Sequence, residues 1–210
     1  MNLYFSPLAC SLATRIALYE AGAAAQFTCV DTKSQRTLDG EDYRTITAMG
    51  QVPALRTDDG LLLTENTAVL QYVAERFPEA GLMPADLNGR AQLRKWLGFI
   101  GTELHKMFIP LLDPKASAEV KAYALEKAPL RFDVLQQHLD GREYLLDTFS
   151  VADAYLATIL NWAPYGNVDL APWPAVVAYH QRVLRRPNVA KAVGEEFVLY
   201  KEEQKRHAKH

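Results

Sequence analysis

Apolar and polar positions change their period along this chain, and the change marks out its elements. Residues 2–5 form a short apolar run stopped by Ser6-Pro7, which fits a first strand. Over residues 11–19, Leu12, Ile16 and Tyr19 recur at helical spacing, and Gly22 follows as a stop signal. Residues 27–30 are a second strand candidate, and residues 35–48 are polar, gaining helical spacing only at their end. Val52-Pro53-Ala54-Leu55 and Leu61-Leu62-Leu63 flank Asp58-Asp59-Gly60, the pattern of a hairpin. Residues 64–77 return to helical spacing through Val69, Leu70 and Val73. The order predicted is β-α-β-α-β-β-α.

Beyond Pro78 the strand pattern ends. Gly81, Pro84 and Asn88-Gly89 punctuate a linker, and residues 90–112, 118–139, 151–163 and 173–184 carry helical periodicity, with a weaker fifth helix over 188–205. Most of the prolines here, Pro110 among them, fall near predicted helix ends, whereas Pro129 lies inside the second helix and predicts a kink. The expected domains are an α/β domain over 1–80, a linker over 81–88 and an all-helical domain over 89–210. The polar tail 201–210 reads as a frayed, solvated end.

Composition narrows the function classes. The chain has 210 residues, 49% of them hydrophobic and 23% charged, with a formal charge of −2. That balance excludes a mainly disordered chain and argues against a nucleic-acid reader held by bulk charge. No apolar run reaches the roughly 18–20 residues needed to span a bilayer. The first residues lack a basic leader, and Cys10 and Cys29 are the only cysteines, too few for a disulfide framework. A cytoplasmic protein with reduced thiols is the expectation.

Several residues invite chemistry. Cys10 falls where the first strand has ended and the first helix begins; there a thiol is either a small packed group or one made acidic by free amides and the helix dipole. Cys29 sits in an apolar strand pattern and reads as a core thiol. Val52-Pro53 opens a strand after a Gly-Gln turn, so Pro53 is either a trans edge proline or a cis proline that turns the Val52 backbone toward an extended peptide. Glu65-Asn66-Thr67 starts a helix, where such residues either cap amides or receive an amino-acid head group, Glu65 taking the ammonium and the next two amides the carboxylate. Gly98, Gly101, Thr102 and His105 share one face of a long helix, so another helix or a ligand approaches there, with His105 and Lys106 at one end. Ser150-Val151-Ala152-Asp153 fits a capping box, which makes Ser150 and Asp153 structural. His105, His138, His180, His207 and His210 show no ligand spacing with the cysteines, and no metal site is expected.

Taken together, Ser6-Pro7-Leu8-Ala9-Cys10-Ser11-Leu12, Gly50-Gln51-Val52-Pro53-Ala54-Leu55, Leu63-Thr64-Glu65, Thr102-Glu103-Leu104-His105-Lys106 and Ser150-Val151-Ala152-Asp153-Ala154-Tyr155 resemble the cytosolic glutathione transferases, most closely the bacterial beta class. The resemblance implies a thioredoxin-like N-terminal domain, a helical C-terminal domain, a homodimer and a cis Val52-Pro53 bond. It implies that Cys10 and His105 are catalytic at the sulfur of glutathione. It further implies that Val52 and Pro53 present the backbone to the cysteinyl unit, that Glu65 and Asn66 hold the γ-glutamyl end, that Lys106 meets the glycyl carboxylate, and that Glu103 reaches the neighbour's ligand. Gln35 stands where the class commonly has a lysine, and Gly98 where it often has an asparagine. The activity implied is conjugation of glutathione, as co-substrate, to small electrophiles, with thiol–disulfide exchange through Cys10 as a second candidate. A glutathione-dependent dehalogenase, isomerase or reductase, and a non-catalytic interaction protein on the same fold, are the alternatives.

Overall fold

Residues 1–208 are described by the computed structural model of the chain. The N-terminal part builds one five-stranded sheet in the order β3-β2-β1-β4-β5. Strand β1 (Asn2–Phe5) pairs in parallel with β2 (Gln26–Asp31), placing Phe5 opposite Cys29, and antiparallel with β4 (Ala54–Arg56). The expected hairpin joins β4 to β5 (Leu62–Thr64), with Leu55 opposite Leu63. Helices α1 (Leu12–Glu20) and α2 (Asn66–Arg76) pack against each other, burying Leu12, Ile16, Val69, Leu70 and Val73 completely. This is the thioredoxin-like arrangement expected.

One expected element is much reduced. Where a second helix was predicted in residues 35–48, the chain forms the two-residue strand β3 (Arg36–Thr37) and a single 3-10 turn over Tyr43–Thr45. The polar stretch has few apolar residues to bury a helix face. The Asp42 side chain accepts from the Arg44 amide and stops the chain as a capped turn.

Helices make up the second unit, Met83–Arg186. Helix α3 (Leu87–Phe99) runs into a π-helical stretch, Ile100–His105, and then into α4 (Lys106–Leu112). Pro110 lies inside α4, and α5 (Ala118–Leu139) continues through Pro129 without a break. The wholly buried α6 (Val151–Leu160) and α7 (Pro174–Leu184) complete the unit.

The last helix, α8 (Pro187–His207), packs on α1 and forms part of the first compact unit with Met1–Leu82. That grouping differs from a simple cut after the linker, because the periodic face of α8 carries Glu196 toward Arg15. The helix also corrects the expectation of a frayed tail: residues 201–207 are helical. Lys209 and His210 of that tail lie outside the described residues. Among the described residues, no helix is long and apolar enough to cross a membrane.

Candidate functional site

In the sheet unit, the loop between β1 and α1 is held from both ends. Ser11, fully buried, ties its hydroxyl to Ser6, accepting from the Ser6 amide and donating to its carbonyl, both at 3.3 Å. Leu8 adopts a left-handed φ of 58°, and its amide donates to Glu196 Oε2 at 2.8 Å. Glu196 is itself fully buried, with Arg15 Nη1 3.4 Å from its other oxygen, and the Arg15 guanidinium stacks 4.3 Å from the Phe27 ring centroid. Burial pushes the Glu196 carboxyl up to about 7, against the pull of the Leu8 amide and Arg15.

Cys10 follows this braced loop, two residues before α1. Its thiol donates to the Val52 carbonyl at 3.2 Å. The amides of Cys10 and Ser11 and the Asn66 side chain favour a thiolate, yet burial outweighs them and pushes the Cys10 thiol up to about 12. Burial thus opposes the acidifying pull of the helix start, while the Val52 carbonyl accepts the thiol hydrogen. Burial likewise raises Cys29, to about 11.

Val52-Pro53 is cis. Among the described residues the Val52 amide has no hydrogen-bond partner, and its carbonyl accepts from the weak Cys10 thiol donor alone. The loop before it is braced by Gln35, whose amide donates to the Thr32 carbonyl at 2.7 Å and the Gly50 carbonyl at 3.2 Å. Gln35 therefore props the Val52 loop rather than offering a free side chain. The fit is tight, since a Cβ on Gly50 (φ +60°) would lie 1.8 Å from Gln35 Oε1.

Opposite, α2 opens with Glu65 at φ 68°, a left-handed conformation that costs energy for a residue with a side chain. Its carbonyl accepts the Ala68 and Val69 amides at 3.0 Å each, leaving the Asn66 and Thr67 amides unpaired. The exposed Glu65 carboxylate beside two free amides makes a receptor for an ammonium and a carboxylate on one carbon. The Asn66 side chain has a second job that sequence did not suggest: its Nδ2 donates to the Cys10 carbonyl at 3.0 Å, joining the starts of α1 and α2.

In the helical unit, Glu103 and His105 lie in the π-helical stretch and Lys106 begins α4. His105 Nδ1 is 2.6 Å from the Tyr155 hydroxyl, and the ring meets Trp162 edge-on at 5.1 Å between centroids. Burial, aided by the Lys106 charge, lowers the imidazole to about 4, so His105 is neutral at pH 7. The Glu103 carboxylate pairs with Arg131 at 2.7 Å and its carbonyl accepts from Arg131 Nε at 2.9 Å, while Lys106 is exposed. A Cβ on Gly98 would meet nothing within 4 Å, so no helix of its own unit accounts for that glycine. Asp153 is structural as expected: fully buried, it accepts from the Leu145 amide, the Ser150 amide and hydroxyl, and the Tyr179 hydroxyl, all at 2.8–2.9 Å.

Comparison with known proteins identifies the family. Family models for the glutathione S-transferase N-terminal and C-terminal domains match residues 9–76 and 99–187. Glutathione S-transferase GstA of Escherichia coli O157:H7 is 37% identical over 93% of this chain and 98% of its own. Glutathione S-transferase GST-4.5 of Xanthomonas campestris pv. campestris is 35% identical over 92% and 97%. The ternary complex of BphK, a bacterial GST, superposes with a TM-score of 0.91 at 43% identity, covering 93% of this chain and 99% of that one. The beta class enzyme of Sphingomonas chungbukensis gives 0.89 at 40% identity, over 93% and 98%. With both domain models in order and full-length relatives of this similarity, the chain belongs to the glutathione S-transferase family.

Proposed function

We propose that the protein is a glutathione transferase that adds the glutathione thiolate to small electrophiles. The observation that carries the reading is a backbone clamp beside a head-group receptor: Val52 with an unused amide, the Cys10 thiol on its carbonyl, and the start of α2 with Glu65 and two free amides. An extended tripeptide with a γ-glutamyl end satisfies all of these groups at once. Its cysteinyl unit pairs with Val52, its ammonium with Glu65, and its α-carboxylate with the Asn66 and Thr67 amides. Gln35 and Pro53 serve by holding that loop.

The chemistry asked of the site is modest. A free thiol has a pKa of about 8.5, and lowering it by two units takes roughly 2.7 kcal/mol. A neutral Cys10 thiol donating S–H and the free amides of Cys10 and Ser11 are of the right kind to supply it. In the tautomer where Nδ1 accepts from the Tyr155 hydroxyl, His105 carries its proton on Nε2 and acts as a neutral donor to the glutathione sulfur. Lys106 meets the glycyl carboxylate. Glu103, engaged with Arg131 in its own chain, takes part through a homodimer. The raised Cys10 thiol favours conjugation over thiol–disulfide exchange, which needs Cys10 as a thiolate. Keeping Cys10, Glu65 and His105 together also argues against a scaffold without chemistry. Cytoplasm is the proposed compartment.

Retention on immobilised glutathione and conjugation of a generic aryl halide test the proposal together. Both are expected for the wild-type chain, and Glu65→Ala should weaken retention. A chain that neither binds nor conjugates would return the reading to the scaffold alternative.

A further inference from the structure

The histidines show no ligand spacing with the cysteines in the sequence, but the fold brings one of them beside two carboxylates at the end of the last helix. Glu203 and His207 are four residues apart on α8 and so share a face, and Asp31 ends β2 beside them. One ligand atom from each of the three lies within 4.8 Å of the others. His207 Nε2 is 3.2 Å from Asp31 Oδ2, close to the roughly 3.3–3.5 Å between neighbouring ligand atoms around a tetrahedral zinc with bonds of about 2.0–2.2 Å.

Two features of this cluster are unexplained by packing. Glu203 is only 7% exposed, yet among the described residues its carboxylate has neither hydrogen bond nor ion-pair partner. His207 Nε2, hydrogen-bonded to Asp31 Oδ2, is the ring nitrogen that faces the cluster, while the buried Nδ1 on the other side of the ring has no partner among the described residues. The Glu203 carboxylate is held in a nearly closed crevice, where a carboxylate is ordinarily paired or bound to a cation. His207 is the main favourable charge near it, Arg206 and Lys33 add less, and none of the three closes an ion pair with Glu203.

We infer that Asp31, Glu203 and His207 form a binding site for a divalent transition cation, zinc by ligand type, that pins the end of α8 to β2. One imidazole nitrogen and two carboxylate oxygens are ordinary zinc ligands, and the fourth position is left to water. Binding needs a contraction of about an ångström among side chains that already converge.

The test uses the full chain at pH 7, titrated with zinc in competition with a chromophoric chelator, and repeated on His207→Gln, Glu203→Gln and Asp31→Asn. Thermal melts by circular dichroism, with and without zinc, establish that each variant is folded and read the clamp itself. The wild type is expected to bind one equivalent more than His207→Gln, with affinity at least about tenfold weaker in Glu203→Gln, and zinc should raise only the wild-type melting temperature appreciably. Thiol or His105 binding elsewhere would survive in all three variants and so is subtracted. Equal stoichiometry and affinity in wild type and variants, or no binding at submillimolar zinc, overturns the inference. Asp31→Asn keeps the test open should Glu203→Gln or His207→Gln fail to fold.

Discussion

Asp153 offers the sharpest check on how the helical unit is held. Its carboxylate is fully buried and accepts four hydrogen bonds, two of them from backbone amides that have no other partner in reach, Leu145 and Ser150. Each buried donor left unpaired costs about 1–3 kcal/mol. Asp153→Ala strands both amides and loosens the Ser150 and Tyr179 hydroxyls, so the loss should be about 3–6 kcal/mol. Desolvation works the other way: burial raises the Asp153 carboxyl, and removing the charge returns part of that cost. Asp153→Asn keeps one acceptor oxygen. It can serve the Leu145 and Tyr179 side while its NH₂ faces the Ser150 amide, stranding one donor, for about 1–3 kcal/mol. Domains of this kind have about 5–15 kcal/mol of stability in total, so Ala should bring the unit near its threshold. Urea unfolding followed by far-ultraviolet circular dichroism should rank wild type above Asn and Asn above Ala, with the slope unchanged. Asn equal to wild type, and Ala within about 1 kcal/mol of it, would refute the hydrogen-bond account.

Other outcomes follow from the sheet unit and from His105. With Cys10 at about 12 and Cys29 at about 11, alkylation of the ligand-free protein by iodoacetamide at pH 7 should run about a thousandfold slower than for a free thiol; rapid labelling of Cys10 would contradict its role as a neutral donor. Gly50→Ala places a Cβ against Gln35 at a left-handed φ, so it should cost at least about 1 kcal/mol of stability and weaken glutathione retention; an unchanged variant would show that Gln35 does not brace the Val52 loop. The His105 ring should show no NMR titration between pH 8 and 5. Its folded pKa of about 4 lies below the usual 6.5, so the unfolded chain takes the proton first. The stability this group contributes is present above pH 6.5 and lost as pH falls toward 4; a titration midpoint near 6.5 would contradict its burial.

Where apolar periodicity was strong, the sequence made the fold plain: β1, the β4–β5 hairpin, α2 and the buried α6 are all visible in it. The five motif segments likewise carried Cys10, Val52-Pro53, Glu65, His105 and the Ser150–Asp153 cap. Signals that pattern does not encode were missed. The π-helical stretch at Ile100–His105 widens a helix without changing which residues are apolar, so residues 90–112 read as one continuous helix. At Cys10 chain position reports the helix start but not the burial that opposes its acidifying pull. Nothing in the sequence pattern singles out Glu196; only the fold brings it under Leu8 and beside Arg15, 181 residues away in sequence. Asn66 carried a head-group role through its backbone, while its side chain turned out to reach the Cys10 carbonyl. The Glu203–His207 spacing was present all along but lay in a tail that charge alone marked as solvated, and its third partner, Asp31, belongs to a strand 172 positions earlier than Glu203.

The account turns on a glutathione sulfur held as an anion. Ultraviolet difference spectra of the protein with bound glutathione, taken across a pH series, measure that state directly through the thiolate absorption band. The bound thiol should titrate about two units below the roughly 8.5 of a free thiol, and the downward shift should shrink in Cys10→Ala. A bound thiol that titrates like free glutathione would contradict the account at its centre.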